Sequence, residues 1–288
     1  MQKPTWLRKK IDLNALHEMK NLLREHNVNT VCEHASCPNI GECFKEKTAT
    51  FMIMGNVCTR NCFFCNVKHA NPKPLDNNEP KNIADVIKKL KLDYVVITSV
   101  TRDDLSDGGL NHFAKVVKEI SGVKIEVLTS DFYTGDRYDN LLKFKLNMLI
   151  ESNVSVFGHN VETVPRLYKY VRANSDYKRS LNFLKTVKDL NPNQITKSGF
   201  MLGLGEKEVE VIEVLKDLRK VCCDVVAIGQ YLAPSTKHYS VQRFIAPDEF
   251  VKYQKLAKDL GFKAVESGPY VRSSYNAKHA FDACIKNI

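Results

Sequence analysis

Cysteines are crowded in the first quarter of the sequence, and no other feature restricts so strongly what this chain can fold around. Six of the nine cysteines lie between Cys32 and Cys65. They form two triplets with different spacings, Cys32-x4-Cys37-x5-Cys43 and Cys58-x3-Cys62-x2-Cys65. A disulfide framework is typical of shorter secreted chains, whereas clustered thiols in a chain of 288 residues indicate metal ligands.

The second triplet predicts an iron–sulfur cluster with one open iron. Three thiolates on one tight loop hold three irons of a [4Fe-4S] cubane and leave the fourth iron without a protein ligand. Half of a zinc site is the alternative, but zinc normally takes a closed set of ligands. The spacing is the signature of the radical S-adenosylmethionine (SAM) superfamily. Phe63 and Phe64 fit the aromatic position that this superfamily usually has before its third cysteine.

The first triplet predicts a second cluster, which needs a fourth ligand or an open iron. Its spacings are wider than the about two to four intervening residues usual for zinc pairs. A zinc site completed by His34 and a set of buried, unliganded cysteines are the alternatives. The remaining three cysteines are predicted to be buried apolar side chains rather than ligands, namely Cys222, Cys223 and Cys284.

Strands and helices alternate along the rest of the chain. Apolar runs predict about six strands, at 49–54, 94–98, 125–129, 154–157, 198–202 and 225–228. Helices are predicted between them, with another at 14–26 ahead of the first strand. This order predicts a parallel sheet with helices outside, either an open sheet or a partial barrel. In a barrel the chemistry lies at the carboxyl ends of the strands, where the Cys58 loop, residues 98–104 and residues 159–162 fall.

Charge and hydropathy limit the partners and the location. The net charge of +10 favours acidic partners, which leaves nucleic acid, anionic lipid and acidic proteins open. The lysines are scattered and form no dense basic run. No stretch reaches the roughly 18 consecutive apolar residues of a membrane span. Because the first ten residues lack an apolar signal core, a cytoplasmic location is expected, with a trimmed organellar form as the alternative.

Longer motifs identify a family. The chain resembles the lipoyl synthases of the radical SAM superfamily from about residue 30 to about residue 280. The matching stretches are CEHASCPNIGEC at 32–43, the triplet at 58–65, TSVTRDDLSDGG at 98–109, GHNVETVPR at 158–166, SGFMLGLGE at 198–206, GQYLAPSTK at 229–237 and VRSSY at 271–275. One departure is Gly158, where the family commonly has Asn. The resemblance implies an α/β fold, a partial (β/α)6 barrel of the TIM type at 49–235, with extensions at 1–48 and 236–288.

The resemblance also implies an activity and its partners. Lipoyl synthases insert two sulfur atoms, at C6 and C8, into an octanoyl chain attached to a lysine of a lipoyl carrier domain. Such domains belong to 2-oxoacid dehydrogenase complexes and the glycine cleavage system, and an acidic carrier surface is expected. The implied cofactors are SAM and two [4Fe-4S] clusters, one of which donates the sulfur. An electron donor such as a flavodoxin or ferredoxin and a cluster-repair carrier are implied, and no nucleic acid or membrane span is.

Site residues follow from the same resemblance. Cys32, Cys37 and Cys43 would bind the auxiliary cluster, and Ser274 would be its fourth ligand. From the residues alone, Ser273 and Ser274 are better explained as the cap of a helix. Arg272 would hold the auxiliary-cluster loop or a substrate carbonyl.

Contacts to SAM and to the carrier complete the expectations. Gly108 and Gly109 would let the backbone approach the methionine part of SAM. Asn160 and Glu162 would bind its ribose hydroxyls. The loop with Lys237 and His238 would face the carrier; solvent exposure is the alternative. Two other functions stay open: a different radical SAM sulfur-inserting enzyme, similar to biotin synthase or to a methylthiotransferase, and a zinc-dependent nucleic-acid-binding protein.

Overall fold

A computed structural model describes residues 3–7, 12–133, 135 and 138–286. The chain divides into two compact units. The N-terminal unit comprises Lys9–Arg60 and Asn66–Ser155. The C-terminal unit comprises Met1–Arg8, Asn61–Cys65 and Val156–Ile288.

The N-terminal unit is built on buried parallel strands. Its elements are α1 (Leu13–Glu25), β1 (Asn29–Thr30), α2 (Val31–His34), α3 (Ile40–Lys45), β2 (Thr50–Ile53), β3 (Val57–Cys58), β4 (Lys68–His69), α4 (Glu79–Leu90), β5 (Tyr94–Ser99), α5 (Leu110–Glu119), β6 (Lys124–Leu128) and α6 (Tyr138–Glu151). β1 pairs antiparallel with β2, and β2, β5 and β6 follow in parallel. Phe51, Ile97 and Val127 are fully buried, as expected of strands covered on both faces.

The C-terminal unit repeats this plan. Its elements are 3-10 turns at Thr5–Leu7 and Pro165–Leu167, β7 (Val156–Gly158), α7 (Tyr168–Val171), α8 (Tyr177–Leu190), β8 (Ile195–Leu202), α9 (Glu208–Lys220), β9 (Val225–Gln230), α10 (Pro247–Asp259), β10 (Ala264–Gly268) and α11 (Ala277–Lys286). β7, β8, β9 and β10 are parallel neighbours. Its core joins the strand side chains Val226 and Ile228 to Leu215 of α9 and Phe250 of α10.

The predicted alternation is confirmed, with additions. All six predicted strands are present within a few residues of their expected bounds. α10 and β10, which extend the alternation beyond residue 235, were not predicted. One detail is wrong: Cys223 and Cys284 are buried, but Cys222 is exposed. Cys222 has left-handed backbone (φ 58) just after α9.

Within the described ranges, no helix combines the length and the apolar character needed to span a bilayer.

Candidate functional site

Cys58 lies where a core strand has just ended. β2 stops at Ile53, Gly55 turns the chain with left-handed backbone (φ 86), and β3 carries Cys58. The Cys58 Sγ accepts backbone N–H hydrogen bonds from Arg60 (3.4 Å) and Thr101 (3.3 Å). Hydrogen bonds to sulfur are among the contacts that tune iron–sulfur clusters. The surroundings of this sulfur therefore fit a cluster ligand.

Buried charges anchor the loop that carries Cys58. The side chain of Arg60 is buried; it contacts Asp103 at 2.8 Å and Asp131 at 2.7 Å. Burial alone lowers the pKa of Arg60, but the two carboxylates outweigh it and the net shift is upward. Thr59 Oγ1 donates to the carbonyl of Thr101 at 3.0 Å. The backbone beside Cys58 is thus tied to the segments that follow β5 and β6.

Glu79 also supports the loop that carries Cys58, and the sequence analysis did not identify this residue. Its buried carboxylate accepts the N–H groups of Met54 (2.8 Å) and Gly55 (3.3 Å) and lies 2.6 Å from His112 Nε2. The buried Arg102 donates to the carbonyl of Met54 at 3.4 Å. An acidic residue followed by proline at a helix start signals α4, but nothing local signals a contact with Met54, 25 residues away and just after β2.

Cys62 and Cys65 belong to the C-terminal unit. The Cys65 N–H donates to the Cys62 carbonyl at 3.0 Å, which makes a tight turn. The Phe63 N–H donates to the Val171 carbonyl (2.9 Å), and the Phe63 carbonyl accepts from the Tyr239 N–H (2.8 Å). Phe64 packs against the core of this unit. The turn is therefore fixed by backbone contacts on both sides.

Arg172 is a second residue that sequence reasoning missed. Its guanidinium donates to Tyr168 Oη (2.9 Å) and Ser180 Oγ (3.0 Å). It also interacts electrostatically with the carboxyl of Glu162 and the thiol of Cys62. A held cation near Cys62 favours the thiolate, which is the form that binds metal. A lone arginine after α7 offered no local signal of this role.

The first triplet lies on two short helices and the turn that joins them, with Cys37 in the turn. Thr30 caps α2, since its Oγ1 accepts the Glu33 N–H at 3.4 Å. Cys32 is buried on α2, and its carbonyl accepts the Cys37 N–H at 3.1 Å. Cys43 lies on α3. Burial and the neighbouring thiols of Cys37 and Cys43 raise the pKa of Cys32 to about 12. The charge of a Cys32 thiolate is thus repelled by those of Cys37 and Cys43, and a bound metal would relieve that repulsion.

His34, the alternative zinc ligand, is engaged elsewhere. Its Nε2 lies 3.1 Å from Asn29 Oδ1, and Asn66 Nδ2 donates to its carbonyl at 3.1 Å. In the described part of the chain, no three His, Cys, Asp or Glu side chains converge as they would around a single metal ion. The thiolates of a cubane each bind a different iron and do not converge on one point.

Gly108 and Gly109 lie in the turn before α5, both with left-handed backbone (φ 65 and 88). A Cβ on Gly108 would stand 2.9 Å from the backbone of Phe132, and one on Gly109 would overlap the Met54 side chain. The carboxylate of Asp107 accepts the Gly109 N–H at 3.0 Å. Backbone conformation and close packing thus both favour glycine at these two positions. Their contact with SAM stays a prediction.

Asn160 and Glu162 come together after β7, and Ser273 joins them. Asn160 Nδ2 donates to Glu162 Oε1 at 2.9 Å, and Ser273 Oγ donates to Asn160 Oδ1 at 2.9 Å. Gly199 leaves room for this amide, since a Cβ there would lie 3.1 Å from Asn160 Oδ1. Burial raises the pKa of Glu162, while Arg172 opposes the shift. The arrangement presents polar groups at a strand end, and its use for ribose stays a prediction.

The Arg-Ser-Ser-Tyr stretch forms a turn ahead of α11. Because α11 begins at Ala277, Asn276 occupies the cap position and the alternative of a serine cap is wrong. Arg272 Nη1 donates to the Val271 carbonyl at 2.7 Å and interacts electrostatically with Glu162. Ser274 is partly buried in this turn. It belongs to the C-terminal unit and the first triplet to the N-terminal unit, so ligation by Ser274 stays a prediction.

Solved structures show the fold, and a family model shows the class of protein. The chain is similar to methylornithine synthase (TM-score 0.56, 14% identity, covering 91% of this chain and 73% of that one). It is also similar to Streptococcus suis SuiB bound to S-adenosylmethionine (TM-score 0.51, 10% identity, covering 84% and 51%). A family model described as the Radical SAM superfamily matches residues 52–218. The chain therefore belongs to the radical SAM superfamily, and the predicted α/β partial barrel is confirmed.

Full-length relatives define the family within that class. A lipoyl synthase of Caldanaerobacter subterraneus subsp. tengcongensis is 52% identical over 280 residues, which cover 96% of each chain. A lipoyl synthase of Pseudomonas putida strain F1 is 50% identical over 291 residues, covering 99% of this chain and 84% of that one. The chain is a member of the lipoyl synthase family, as the motifs predicted. The cofactors of this family are SAM and two [4Fe-4S] clusters.

Proposed function

We propose that the protein inserts two sulfur atoms at C6 and C8 of an octanoyl chain bound to a lysine of a lipoyl carrier domain. The observation that carries this proposal is the 52% identity to a lipoyl synthase across 96% of both chains. The two separate cysteine triplets supply the ligands that the reaction needs. An alternative radical SAM sulfur-inserting enzyme would not account for this identity across nearly the whole chain.

Cys58, Cys62 and Cys65 would hold the cluster that, with SAM bound, supplies a 5′-deoxyadenosyl radical able to remove hydrogen from an unactivated carbon. The residues around Cys58 would hold this ligand in position. The N–H groups of Arg60 and Thr101 stabilise the Cys58 sulfur. Glu79 fixes the strand end ahead of it. Such supporting contacts hold reactive groups in productive geometry.

Cys32, Cys37, Cys43 and Ser274 would hold the cluster that is consumed as the sulfur donor. A serine oxygen is a harder donor than a thiolate, so its bond to iron should exchange more easily. That property suits a cluster that must open. Arg272, whose charge interacts with Glu162, would hold this loop or a substrate carbonyl.

SAM would lie against Gly108 and Gly109 with its methionine part, and against Asn160 and Glu162 with its ribose. The amide and carboxylate are already linked at 2.9 Å, which orients both before a ligand arrives. The domain bounds that accompany this proposal are 1–48, 49–235 and 236–288.

Partners follow from the charge and chemistry. The substrate would be an octanoylated carrier domain with an acidic surface, and the exposed Lys237 with its neighbour His238 would face it. A flavodoxin or ferredoxin would supply electrons, and a repair carrier would rebuild the consumed cluster. None of the nine cysteines, all of which lie in the described residues, forms a disulfide. A reducing cytoplasm, the proposed location, keeps thiols in that state.

Anaerobic reconstitution tests the proposal. The chain should take up about eight irons and eight sulfides for two cubanes. With SAM, dithionite and an octanoyl-lysyl peptide, mass spectrometry should show two added sulfur atoms, and 5′-deoxyadenosine should accumulate. Stoichiometric zinc without sulfide would refute both clusters. Loaded clusters without 5′-deoxyadenosine would refute the radical mechanism.

A further inference from the structure

The cysteine turn exposes an aromatic ring that packing does not explain. The side chain of Phe63 is 43% exposed, although its neighbour Phe64 packs into the core. The backbone of Phe63 is held on both sides, by the Val171 carbonyl at 2.9 Å and the Tyr239 N–H at 2.8 Å. A fixed backbone that presents an apolar ring to solvent has the character of a contact site.

The segments that hold Phe63 add a second ring and positive charge. Tyr170, next to Val171, is 51% exposed, and Lys169 Nζ lies 4.7 Å from the centroid of its ring. Residues 165–173 and 231–243 together contain five Lys and Arg residues and no Asp or Glu. Two of the arginines pair with glutamates of α9 and α10, whereas Lys169 and Lys237 are exposed.

We propose that this surface, called here the Phe63 surface and made of Phe63, Tyr170 and Lys169, docks an acidic one-electron donor protein. The inference rests on the proposed function, because each cleavage of SAM takes up one electron that the donor loses. Phe63 directly follows Cys62, so a donor seated on its ring lies one residue from a cluster ligand. Redox encounters use small interfaces, and a few exposed rings inside a charged rim match that scale.

The positive charge of the Phe63 surface favours an acidic partner. A basic rim attracts an acidic protein and raises the rate of encounter more than the final affinity. That behaviour suits a donor that must bind, transfer an electron and leave. The acidic carrier is the other possible occupant, but it needs room for a long octanoyl-lysine arm rather than nearness to Cys62.

The test compares two reductants on one loaded enzyme. The double variant Lys169→Glu/Tyr170→Ser reverses the charge and removes the second ring. Its matched control is Lys255→Glu/Val251→Ser, which makes the same kinds of change on the exposed face of α10. Cluster reduction is followed by the loss of visible absorbance, with a reduced acidic flavodoxin at limiting concentration or with dithionite. This readout requires no turnover, so it stands even if the proposed sulfur insertion fails.

The double variant should slow reduction by flavodoxin by roughly tenfold or more and leave reduction by dithionite within about twofold, while the control changes neither. Added salt should narrow the difference between wild type and variant. An unchanged flavodoxin rate would overturn the proposal. So would a raised KM for the octanoylated carrier under dithionite, which would assign the surface to the substrate. If the double variant fails to load iron, Lys169→Glu alone carries the same comparison at an exposed site.

Discussion

The two cysteine triplets are supported in opposite ways. Cys58 follows a buried core strand, and its loop is anchored by the buried Arg60 and by Glu79. The first triplet lies on α2 and α3, helices of four and six residues, and on the turn between them, and the segment is shaped by a threonine cap and backbone turns. Helices this short are marginal without tertiary support. The difference suggests that the scaffold holds the Cys58 loop by itself, whereas a bound cluster helps to order the Cys32 segment.

Removing one cysteine from each triplet should produce the largest effect and separate the two clusters. Cys58→Ala should abolish 5′-deoxyadenosine formation, because the SAM-binding cluster loses a ligand. Cys32→Ala should stop sulfur insertion yet preserve 5′-deoxyadenosine formation. Each variant should retain about four of the eight irons. Iron analysis, product mass spectrometry and nucleoside chromatography check these outcomes.

If the two variants behave alike, the two triplets do not have separate roles. Loss of 5′-deoxyadenosine in Cys32→Ala, with four irons still bound, would show that the first triplet also serves SAM cleavage. Loss of all iron from either variant would show that the two clusters assemble together.

Breaking the anchor of the Cys58 loop should cost stability. Asp131 is 2% exposed and lies 2.7 Å from Arg60, so Asp131→Asn leaves a buried guanidinium short of a partner. We expect a loss of about 3 kcal/mol in the free energy of unfolding, measured as a shift of the urea midpoint. Asp103→Asn is the control, because Asp103 is 32% exposed and should cost about 1 kcal/mol or less. Equal losses would mean that burial does not set the strength of this anchor.

Replacing Ser274 tests how the consumed cluster is closed. Ser274→Ala should lower sulfur insertion by roughly tenfold or more, the scale of metal-site losses, and leave 5′-deoxyadenosine formation within about twofold. Ser273→Ala is the matched control, because it removes the hydrogen bond to Asn160 but keeps Ser274. An equal defect in both variants would place the role of this motif in the Asn160 contact rather than in iron ligation.

How much the sequence predicts differs between the fold and the site. The six strands were found because parallel strands buried on both faces are short apolar runs. β10 was missed because its sequence, AVESG, is short and half polar. The cysteine spacing predicted the cluster ligands locally. The supporting contacts could not be predicted from the sequence. Glu79 accepts a hydrogen bond from Met54, 25 residues away, and Ser273 donates one to Asn160, 113 residues away. Such hydrogen bonds depend on tertiary placement and leave no periodic pattern.

The smallest predicted effect lies at the cap of the Cys32 segment. Thr30 is fully buried, and its hydroxyl accepts the Glu33 N–H at the start of α2. Thr30→Ala should lower the free energy of unfolding by about 1 kcal/mol, because the first turn loses its cap. It should also speed the loss of iron to a chelator from the first triplet but not from the second. Thr30→Ser keeps the hydroxyl and should stay close to wild type. If Ser were as damaging as Ala, packing of the threonine methyl group, and not the cap, would hold this segment.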